Sequence, residues 1–148
     1  MKYIAYGSNM VEEQMAVRCP EARLVGTGYI SGARLEFYLH ATVEETGDQR
    51  NRVPVAVWEI NQRDEQMLDR YEGYPDFYYK KELDLDITGI RTKKVRRRSV
   101  FVYIMHEDRP IGIPSMQYLR ICAEGYDSFR FDIDYLLEAY EYCLEAAR

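Results

Sequence analysis

The sequence predicts an α+β fold in which a mostly antiparallel or mixed sheet closes into a small mixed β-barrel, with helices packed outside it. Segments typical of strands cluster before and after one helical segment. They do not alternate with helices in the regular way that builds a doubly wound parallel sheet. The chain has 148 residues and contains no repeat and no Pro/Gly/Ser-rich linker, so we expect a single domain over residues 1–148.

Six segments are predicted to be strands, because they are rich in β-branched and aromatic residues and end at glycine or polar residues. They are residues 2–6, 24–30, 35–39, 53–60, 78–87 and 95–105. The polar stretch 44–52 is predicted to be a surface loop.

The first of four predicted helices follows the N-terminal strand. Asn9 is expected to begin this helix and to cap its first turn, with Glu12 completing a box-like arrangement. The helix is expected to run to about Arg18, because Pro20 prevents its continuation.

The second helix, over residues 61–72, has the clearest start and stop signals. Asn61 is expected to cap it, Asp64 suits the dipole of its first turn, and Gly73 is expected to end it in a left-handed conformation. Its predicted apolar stripe consists of Met67, Leu68 and Tyr71.

Two more helices are predicted near the C-terminal end. One opens at Pro114-Ser115 and ends near Gly125. The other covers residues 132–146, where apolar residues recur at helical spacing and predict an amphipathic face. The residues of that face are Ile133, Leu136, Leu137, Tyr140 and Leu144.

Composition excludes several function classes. A net charge of −5 argues against a general polyanion-binding surface. No secretory signal pattern is present, and no apolar run approaches the roughly 18 residues that span a bilayer. The three cysteines lack CxxC spacing and are accompanied by only two histidines, so no zinc site is expected. We therefore expect a cytoplasmic protein with free thiols, no cofactor and no membrane partner.

One strongly basic stretch departs from this acidic balance. Residues 91–98 contain six basic side chains in eight positions. Such a stretch is compatible with a phosphate or nucleic-acid contact. It is equally compatible with a solvated hairpin whose charges prevent edge-to-edge aggregation. We favour the second interpretation and expect no nucleic-acid partner, because the stretch lacks the interleaved aromatic residues of a stacking platform.

Glu72 is a candidate acid/base because it stands in the last turn of the second predicted helix. The helix C-terminus carries partial negative charge, and the aromatic neighbours Tyr71, Tyr74 and Phe77 add desolvation if they close over it. Both effects raise the pKa of a carboxyl group. A Glu with a pKa near neutrality is suited to general acid/base catalysis. By position alone, however, an incidental surface Glu is the commoner explanation.

The loop Tyr6-Gly7-Ser8-Asn9-Met10 is a candidate anion site. A strand enters it and a helix follows, so several backbone N–H groups are free to bind a carboxylate. The pattern is neither a phosphate-binding P-loop nor the GxSxG turn of a nucleophilic serine. By itself the loop is also compatible with an ordinary capped helix.

Three motifs in order resemble the γ-glutamyl cyclotransferase-like superfamily, which includes γ-glutamylamine cyclotransferases and the plant avirulence-induced proteins. They are YGSN at residues 6–9, LDRYEGYP at residues 68–75, and PSMQY at residues 114–118 followed by Gly125-Tyr126. The resemblance covers nearly the whole chain, and it implies a mixed β-barrel flanked by helices.

The resemblance also implies roles for individual residues. Glu72, the Glu of the Glu-Gly pair, corresponds to the catalytic residue, and Tyr78 and Tyr118 correspond to further site residues, although the adjacent Tyr79 leaves the register of Tyr78 open. The residues that correspond to the glutamyl-binding loop are Tyr6, Gly7, Ser8, Asn9 and Met10. Met10 stands where Leu is commoner in the family, and the loop lacks the pattern of the glutathione-specific branch.

The implied reaction is an intramolecular cyclisation. The α-amino group of a γ-glutamyl amine or γ-glutamyl amino acid attacks the δ-carbonyl, which yields 5-oxoproline and a free amine. Because the nucleophile belongs to the substrate, no Ser or Cys triad is required. The expected partner is therefore a small γ-glutamyl molecule, and the segments 29–31, 40–52 and 106–114 are candidates to contact its leaving group.

Two other functions are compatible with the same residues. One is an enzyme of the same fold that removes a γ-glutamyl group from a biosynthetic intermediate. The other is a non-catalytic module that binds γ-glutamyl or other amino-acid ligands. A Glu placed where its pKa is raised disfavours the binding module, because a pure binder needs no protonatable carboxylate there.

Overall fold

The computed structural model describes residues 1–148 and contains seven strands and four α-helices. The strands are β1 (Lys2–Ala5), β2 (Arg23–Ser31), β3 (Ala33–Tyr38), β4 (His40–Glu45), β5 (Arg52–Glu59), β6 (Tyr78–Gly89) and β7 (Val95–Met105). The helices are α1 (Glu12–Arg18), α2 (Gln62–Glu72), α3 (Met116–Phe129) and α4 (Asp134–Ala146). A short 3-10 helix, Ser8–Met10, lies between β1 and α1.

Five strands form a closed barrel in the order β1-β5-β2-β6-β7. All neighbours are antiparallel except β1 and β7, which pair in parallel at Tyr3 and Phe101 and so close the barrel. The predicted small mixed β-barrel flanked by helices is therefore confirmed. Its core consists of apolar side chains that are almost completely buried, such as Ile4, Val55, Val57 and Val102, as expected for the closed interior of a small barrel.

The segment around residue 40 corrects the predicted strand count. Strands β3 and β4 pair as a separate two-stranded sheet, so His40–Glu45 is a strand that the sequence analysis partly assigned to a loop. Its ends are polar and exposed, while Ala41 and Val43 are buried against the core. Leu39, the single residue between the two strands, has a φ of 69°.

The start of the first helix is also corrected. Asn9 lies inside the 3-10 helix, and α1 begins only at Glu12 after an extended Val11 that makes no side-chain capping hydrogen bond. The predicted Asn9–Glu12 capping box is therefore wrong. The side chain of Asn9 is used for long-range contacts instead, with Tyr3 and with Arg18.

Helix α2 follows its local sequence signals closely. Asn61 and Asp64 form a reciprocal capping box, and Gly73 ends the helix in a left-handed conformation with φ 64°. The predicted apolar stripe is only partly right, because Leu68 is fully buried while Met67 and Tyr71 are exposed.

The predicted face of the last helix is largely wrong. Of the five apolar residues assigned to it, only Leu136 is buried, and Ile133 and Leu137 are exposed. The buried face consists of Leu136, Ala139 and Cys143, because small side chains bring α4 close to β3. None of the four helices combines the length and apolar character that crossing a membrane requires.

Candidate active site

A cavity of about 650 Å³ opens at one end of the barrel. Its volume lies within the range of about 300–1,000 Å³ that is typical of small-molecule sites. It brings together segments that are far apart in sequence: the loop after β1, the end of α2, the start of β6, the end of β7 and one side chain from α3. Its inner wall is mainly aromatic and includes Tyr3, Tyr6, Tyr71, Tyr78, Tyr103 and Tyr118.

Glu72 lines this cavity as the last residue of α2. It is half-buried, and its carboxylate makes neither a hydrogen bond nor an ion pair within the chain. Burial raises the pKa of Glu72 to about 7, and the positive charge of Arg18 opposes that rise. Glu72 therefore exchanges between its charged and neutral forms near neutral pH, which is the condition for a group that both accepts and returns a proton.

The end of α2 is held against the barrel by a charged network. The hydroxyl of Tyr103 on β7 donates a hydrogen bond to Asp69 (2.6 Å), and Lys80 on β6 forms ion pairs with Asp69 (2.8 Å) and Glu65 (3.0 Å). Asp69 lies three residues before Glu72, so the network fixes the helical turn that carries the candidate acid/base.

The loop after β1 lines the same cavity as Glu72 and has unused backbone donors. The N–H groups of Gly7, Ser8 and Asn9 donate to no acceptor within the chain, since the turn is closed by the N–H groups of Met10 and Val11 instead. Such a set of free N–H groups is suited to binding a carboxylate. A Cβ atom at Gly7 would lie 2.9 Å from the hydroxyl oxygen of Tyr118, so only glycine allows this close approach.

Long-range contacts hold the loop in this conformation, and Asn9 makes most of them. Its amide donates to the Tyr3 hydroxyl (3.1 Å), its side-chain oxygen accepts from Arg18 (2.7 Å), and its carbonyl oxygen accepts from the indole N–H of Trp58 (3.0 Å). The hydroxyl groups of Ser8 and Tyr71 are 3.3 Å apart and connect the loop to α2. The side chain of Asn9 is therefore fully used in contacts that stabilise the loop. Only its backbone N–H is left to bind a ligand.

Tyr6, Tyr78 and Tyr118 complete the wall of the cavity. The backbone of Ala41 in β4 forms hydrogen bonds with the last two. Its carbonyl oxygen accepts from the Tyr78 hydroxyl (2.9 Å), and its N–H donates to the hydroxyl oxygen of Tyr118 (3.1 Å). Tyr6 donates to the carbonyl oxygen of Tyr103 (2.6 Å). Burial raises the pKa of Tyr6, Tyr78 and Tyr118, so all three hydroxyls keep their protons at neutral pH.

The structure brings seven of the eight sequence-predicted site residues to one cavity. They are Tyr6, Gly7, Ser8, Asn9, Glu72, Tyr78 and Tyr118. Met10 does not line the cavity: its side chain is completely buried and packs where a Cβ on Gly125 of α3 would lie, 2.8 Å away. It supports the loop from behind. Tyr78 lines the cavity and Tyr79 does not, because Tyr79 points to the other face of β6 and donates to Glu107 (2.6 Å).

The cavity also contains residues to which the sequence analysis assigned no individual role. Arg109 lines it and is almost fully buried; it pairs with the buried Glu36 (3.4 Å), and its guanidinium lies 4.1 Å above the ring of Tyr38. The only hint in the sequence is a charged residue, Glu36, between two apolar neighbours in a strand. No cluster of three or more His, Cys, Asp or Glu side chains is placed to hold a metal ion.

The segments expected to contact a leaving group are only partly at the cavity. Residues 29–31 do not line it, and from the segment 40–52 only His40 and Ala41 do. The segment 106–114 contributes the most, through His106, Asp108, Arg109 and Pro110.

Comparisons with solved structures show that this fold is known. A protein described as "Gamma-glutamyl cyclotransferase" superposes with a TM-score of 0.75 at 20% sequence identity, over 94% of this chain and 85% of that chain. The human uncharacterized protein loc79017 gives a TM-score of 0.73 at 21% identity, over 93% and 85% of the two chains. A glutathione-specific γ-glutamyl cyclotransferase from yeast gives 0.65 at 11% identity, over 98% and 96%.

The sequence itself matches a family more directly than these distant structures do. No curated protein matches the whole sequence significantly. The family described as "Gamma-glutamyl cyclotransferase, AIG2-like" matches residues 3–120, which include Glu72, the loop after β1 and Tyr118. The chain therefore belongs to the γ-glutamyl cyclotransferase, AIG2-like family.

Proposed function

We propose that this protein cyclises a γ-glutamyl amine or γ-glutamyl amino acid to 5-oxoproline and releases the free amine, with Glu72 as the general acid/base. One observation carries the proposal: a carboxylate without a partner, with a pKa of about 7, shares a cavity with unused backbone N–H groups. The first feature supplies proton transfer, and the second supplies a place for the α-carboxylate of a glutamyl group.

The cavity supports a mechanism in which binding does much of the work. The free N–H groups of residues 7–9 hold the α-carboxylate, and the aromatic wall folds the side chain so that the α-nitrogen approaches the δ-carbon. Orientation of this kind supplies a large share of the rate in intramolecular reactions. It also removes the need for a nucleophilic side chain on the protein.

Proton transfer then falls to Glu72. Its carboxylate takes a proton from the α-ammonium group, and the amine attacks the δ-carbonyl to give a tetrahedral oxyanion. The Tyr118 hydroxyl accepts from the Ala41 N–H and keeps its own proton because its pKa is raised, so it donates that proton in a hydrogen bond to the oxyanion. Glu72 returns the proton to the leaving nitrogen, and the C–N bond of the γ-amide breaks. Glu72 then takes the second proton from the ring nitrogen and passes it to the released amine, so the products are 5-oxoproline and the amine in its ammonium form.

A substrate screen with a matched pair of variants tests this function. Purified protein is incubated with γ-glutamyl dipeptides and γ-glutamyl amines, and 5-oxoproline is followed by mass spectrometry. Glu72→Gln is expected to lower turnover by about 10²–10⁴-fold, the usual contribution of general acid/base catalysis. Glu138→Gln, on the exposed surface of α4, is expected to leave turnover unchanged. Substantial turnover by a folded Glu72→Gln protein would rule out the mechanism.

The same screen separates the remaining candidates. A γ-glutamylated biosynthetic intermediate would react through the same groups, so it belongs in the panel, and a strong preference for it would assign the leaving group. A ligand that binds tightly, yet is never turned over by the wild-type protein, would favour a binding module.

The three free cysteines are all buried, which supports our expectation of a reducing compartment such as the cytoplasm.

A further inference from the structure

We propose that Arg18 is a positioning residue that ties the loop of residues 7–10, here called the substrate loop, to the end of α2 that carries Glu72, and so brings a positive charge to that helix end. The proposal rests on the function proposed above, in which Glu72 is the acid/base. Arg18 does not line the cavity, so it acts on the substrate only through Asn9, Tyr71 and Glu72.

The geometry places Arg18 between the two halves of the site. It is the last residue of α1, and its guanidinium donates to the side-chain oxygen of Asn9 (2.7 Å) and to the carbonyl oxygen of Gln14 (3.3 Å). The same guanidinium lies 3.7 Å from the centre of the Tyr71 ring. Asn9 belongs to the substrate loop and Tyr71 precedes Glu72, so one side chain connects two segments 62 positions apart.

Arg18 has no carboxylate partner, in contrast to the partly or fully buried cations Lys80 and Arg109. Lys80 is neutralised by Asp69 and Glu65, and Arg109 is paired with Glu36. Arg18 forms no ion pair, and its hydrogen bonds go to neutral oxygens. No carboxylate cancels its charge, and that charge favours the ionised form of Glu72 and so lowers its pKa.

The groups around Glu72 leave Arg18 as the main source of positive charge. Burial, and to a lesser extent the charge of Glu72, raises the pKa of four tyrosines on β1, β6, β7 and the loop after β1, and their hydroxyl groups are neutral. They are Tyr3, Tyr78, Tyr103 and Tyr6. Arg70 and Asp76 line the same cavity with opposite charges and are exposed. Burial raises the pKa of Glu72, and Arg18 is the cation that lowers it.

The charge of Arg18 and the planar shape of its guanidinium have different effects, and two variants separate them. Arg18→Gln removes the charge and the cation–π contact. Without Arg18, burial alone holds the pKa of Glu72 above its present value, so less of the base is available at neutral pH. Arg18→Lys keeps a charge but loses the planar group that contacts both Asn9 and Tyr71.

The experiment measures kcat/KM against pH and, separately, titrates the Glu72 carboxyl by carbon NMR in the substrate-free protein. For Arg18→Gln we expect the midpoint of both curves to rise by about half to one pH unit, equivalent to a loss of about 3–10-fold in kcat/KM at pH 6 that largely recovers at high pH. For Arg18→Lys we expect a nearly unchanged midpoint and a raised KM. Arg63→Gln, an exposed arginine at the other end of α2, is expected to change neither.

An unchanged NMR midpoint in folded Arg18→Gln would overturn the charge part, and an unchanged KM in Arg18→Lys would overturn the positioning part. If Arg18→Gln does not fold, Arg18→Met replaces it, because methionine keeps an unbranched side chain without the charge: its midpoint must rise, and an unchanged midpoint contradicts the proposal. Because the NMR titration needs no turnover, it also separates the two proposals. An inactive wild-type protein whose Glu72 midpoint still depends on Arg18 would refute the enzyme and retain the electrostatic role.

Discussion

The substrate loop and helix α2 meet at the same cavity, but they are built in opposite ways. Helix α2 is specified locally: Asn61 and Asp64 cap its start, and Gly73 ends it one residue after Glu72. The loop from Gly7 to Met10 has only the two backbone hydrogen bonds of its own turn and depends otherwise on Tyr3, Trp58 and α1. Catalysis as proposed needs both, so a site can combine one part that folds by itself with one that depends on the whole barrel.

The difference predicts where substitutions act. Changes in the loop are expected to disturb binding geometry strongly, because most of the contacts that hold it are long-range. Changes at the start of α2 are expected to cost stability and spare activity, because the end of the helix is anchored separately by Tyr103 and Lys80.

The largest effect is expected from Gly7→Ala. The added methyl group meets the Tyr118 hydroxyl at 2.9 Å, so either the loop or Tyr118 must shift. A displacement near 1 Å typically costs about 10²-fold in rate, and we expect a loss of that order in kcat/KM on whichever γ-glutamyl substrate the screen identifies. Activity close to wild type would show that the loop is more adaptable than its contacts indicate.

Gly47→Ala is a suitable control for that loss. Gly47 has a φ of 71°, but no atom lies within 4 Å of its Cβ position. Its replacement is therefore expected to lower the free energy of unfolding by about 1 kcal/mol through backbone strain alone and to leave kcat/KM unchanged. A parallel fall in kcat/KM for both variants would mean that general destabilisation explains the Gly7 result.

The next effect concerns stability at Glu72. Because burial raises the pKa of Glu72 from its ordinary value near 4.5 to about 7, the folded protein binds a proton that the unfolded chain releases. Stability is therefore lost as the pH rises through this interval. Glu72→Gln cannot ionise, and we expect it to be more stable than wild type by roughly 1–3 kcal/mol at pH 8, with the difference shrinking towards pH 4.

Urea unfolding at pH 8 and pH 5 measures this difference, with Glu138→Gln as the exposed control. A Glu72→Gln protein that is no more stable at pH 8 than wild type would show that Glu72 is better solvated than its position in the cavity indicates. The predicted gain in the free energy of unfolding would also mean that the charge of Glu72 destabilises a helix end whose local sequence otherwise favours it, as is common where activity and stability conflict.

The smallest effect is expected at the start of α2. Asn61→Ala removes the side chain that accepts from the Asp64 N–H (2.9 Å) and should lower the free energy of unfolding by about 1 kcal/mol. We expect kcat/KM to stay within about twofold of wild type, since the anchors of Glu72 lie two turns away. A larger kinetic loss would show that the two ends of α2 are coupled, which would weaken the contrast with the loop.

The sequence predicts the parts of the molecule that local rules control. The bounds of α2 and its capping residues follow from neighbouring positions, and so do the long strands β6 and β7. The spacing of Asn9 and Glu12 predicts a helix cap, but the side chain of Asn9 forms hydrogen bonds with Tyr3 and Arg18 instead. Nothing near Asn9 in the sequence reveals those partners.

The remaining differences have the same origin. The apolar pattern of α4 predicts that Ile133 and Leu137 are buried, but the residues that pack against the sheet are Ala139 and Cys143. The distance between α4 and β3 depends on the sheet, which the pattern of the helix does not reveal. Strand alternation places Tyr78 and Tyr79 on opposite faces, but only the barrel decides which face is inside. The sequence points to Arg109 only through the segment 106–114, because the role of this residue depends on a buried Glu36 that lies 73 positions earlier.

Trp58 gives the molecule a built-in optical reporter. It is the only tryptophan in the chain, it is nearly fully buried, and its indole N–H donates to the carbonyl oxygen of Asn9 at 3.0 Å. Indole emission responds to the hydrogen bond and to the polarity around the ring, so a ligand that displaces the Asn9 carbonyl changes the fluorescence without any label. Titrating candidate γ-glutamyl compounds into the unmodified protein then reports occupancy of the loop independently of turnover.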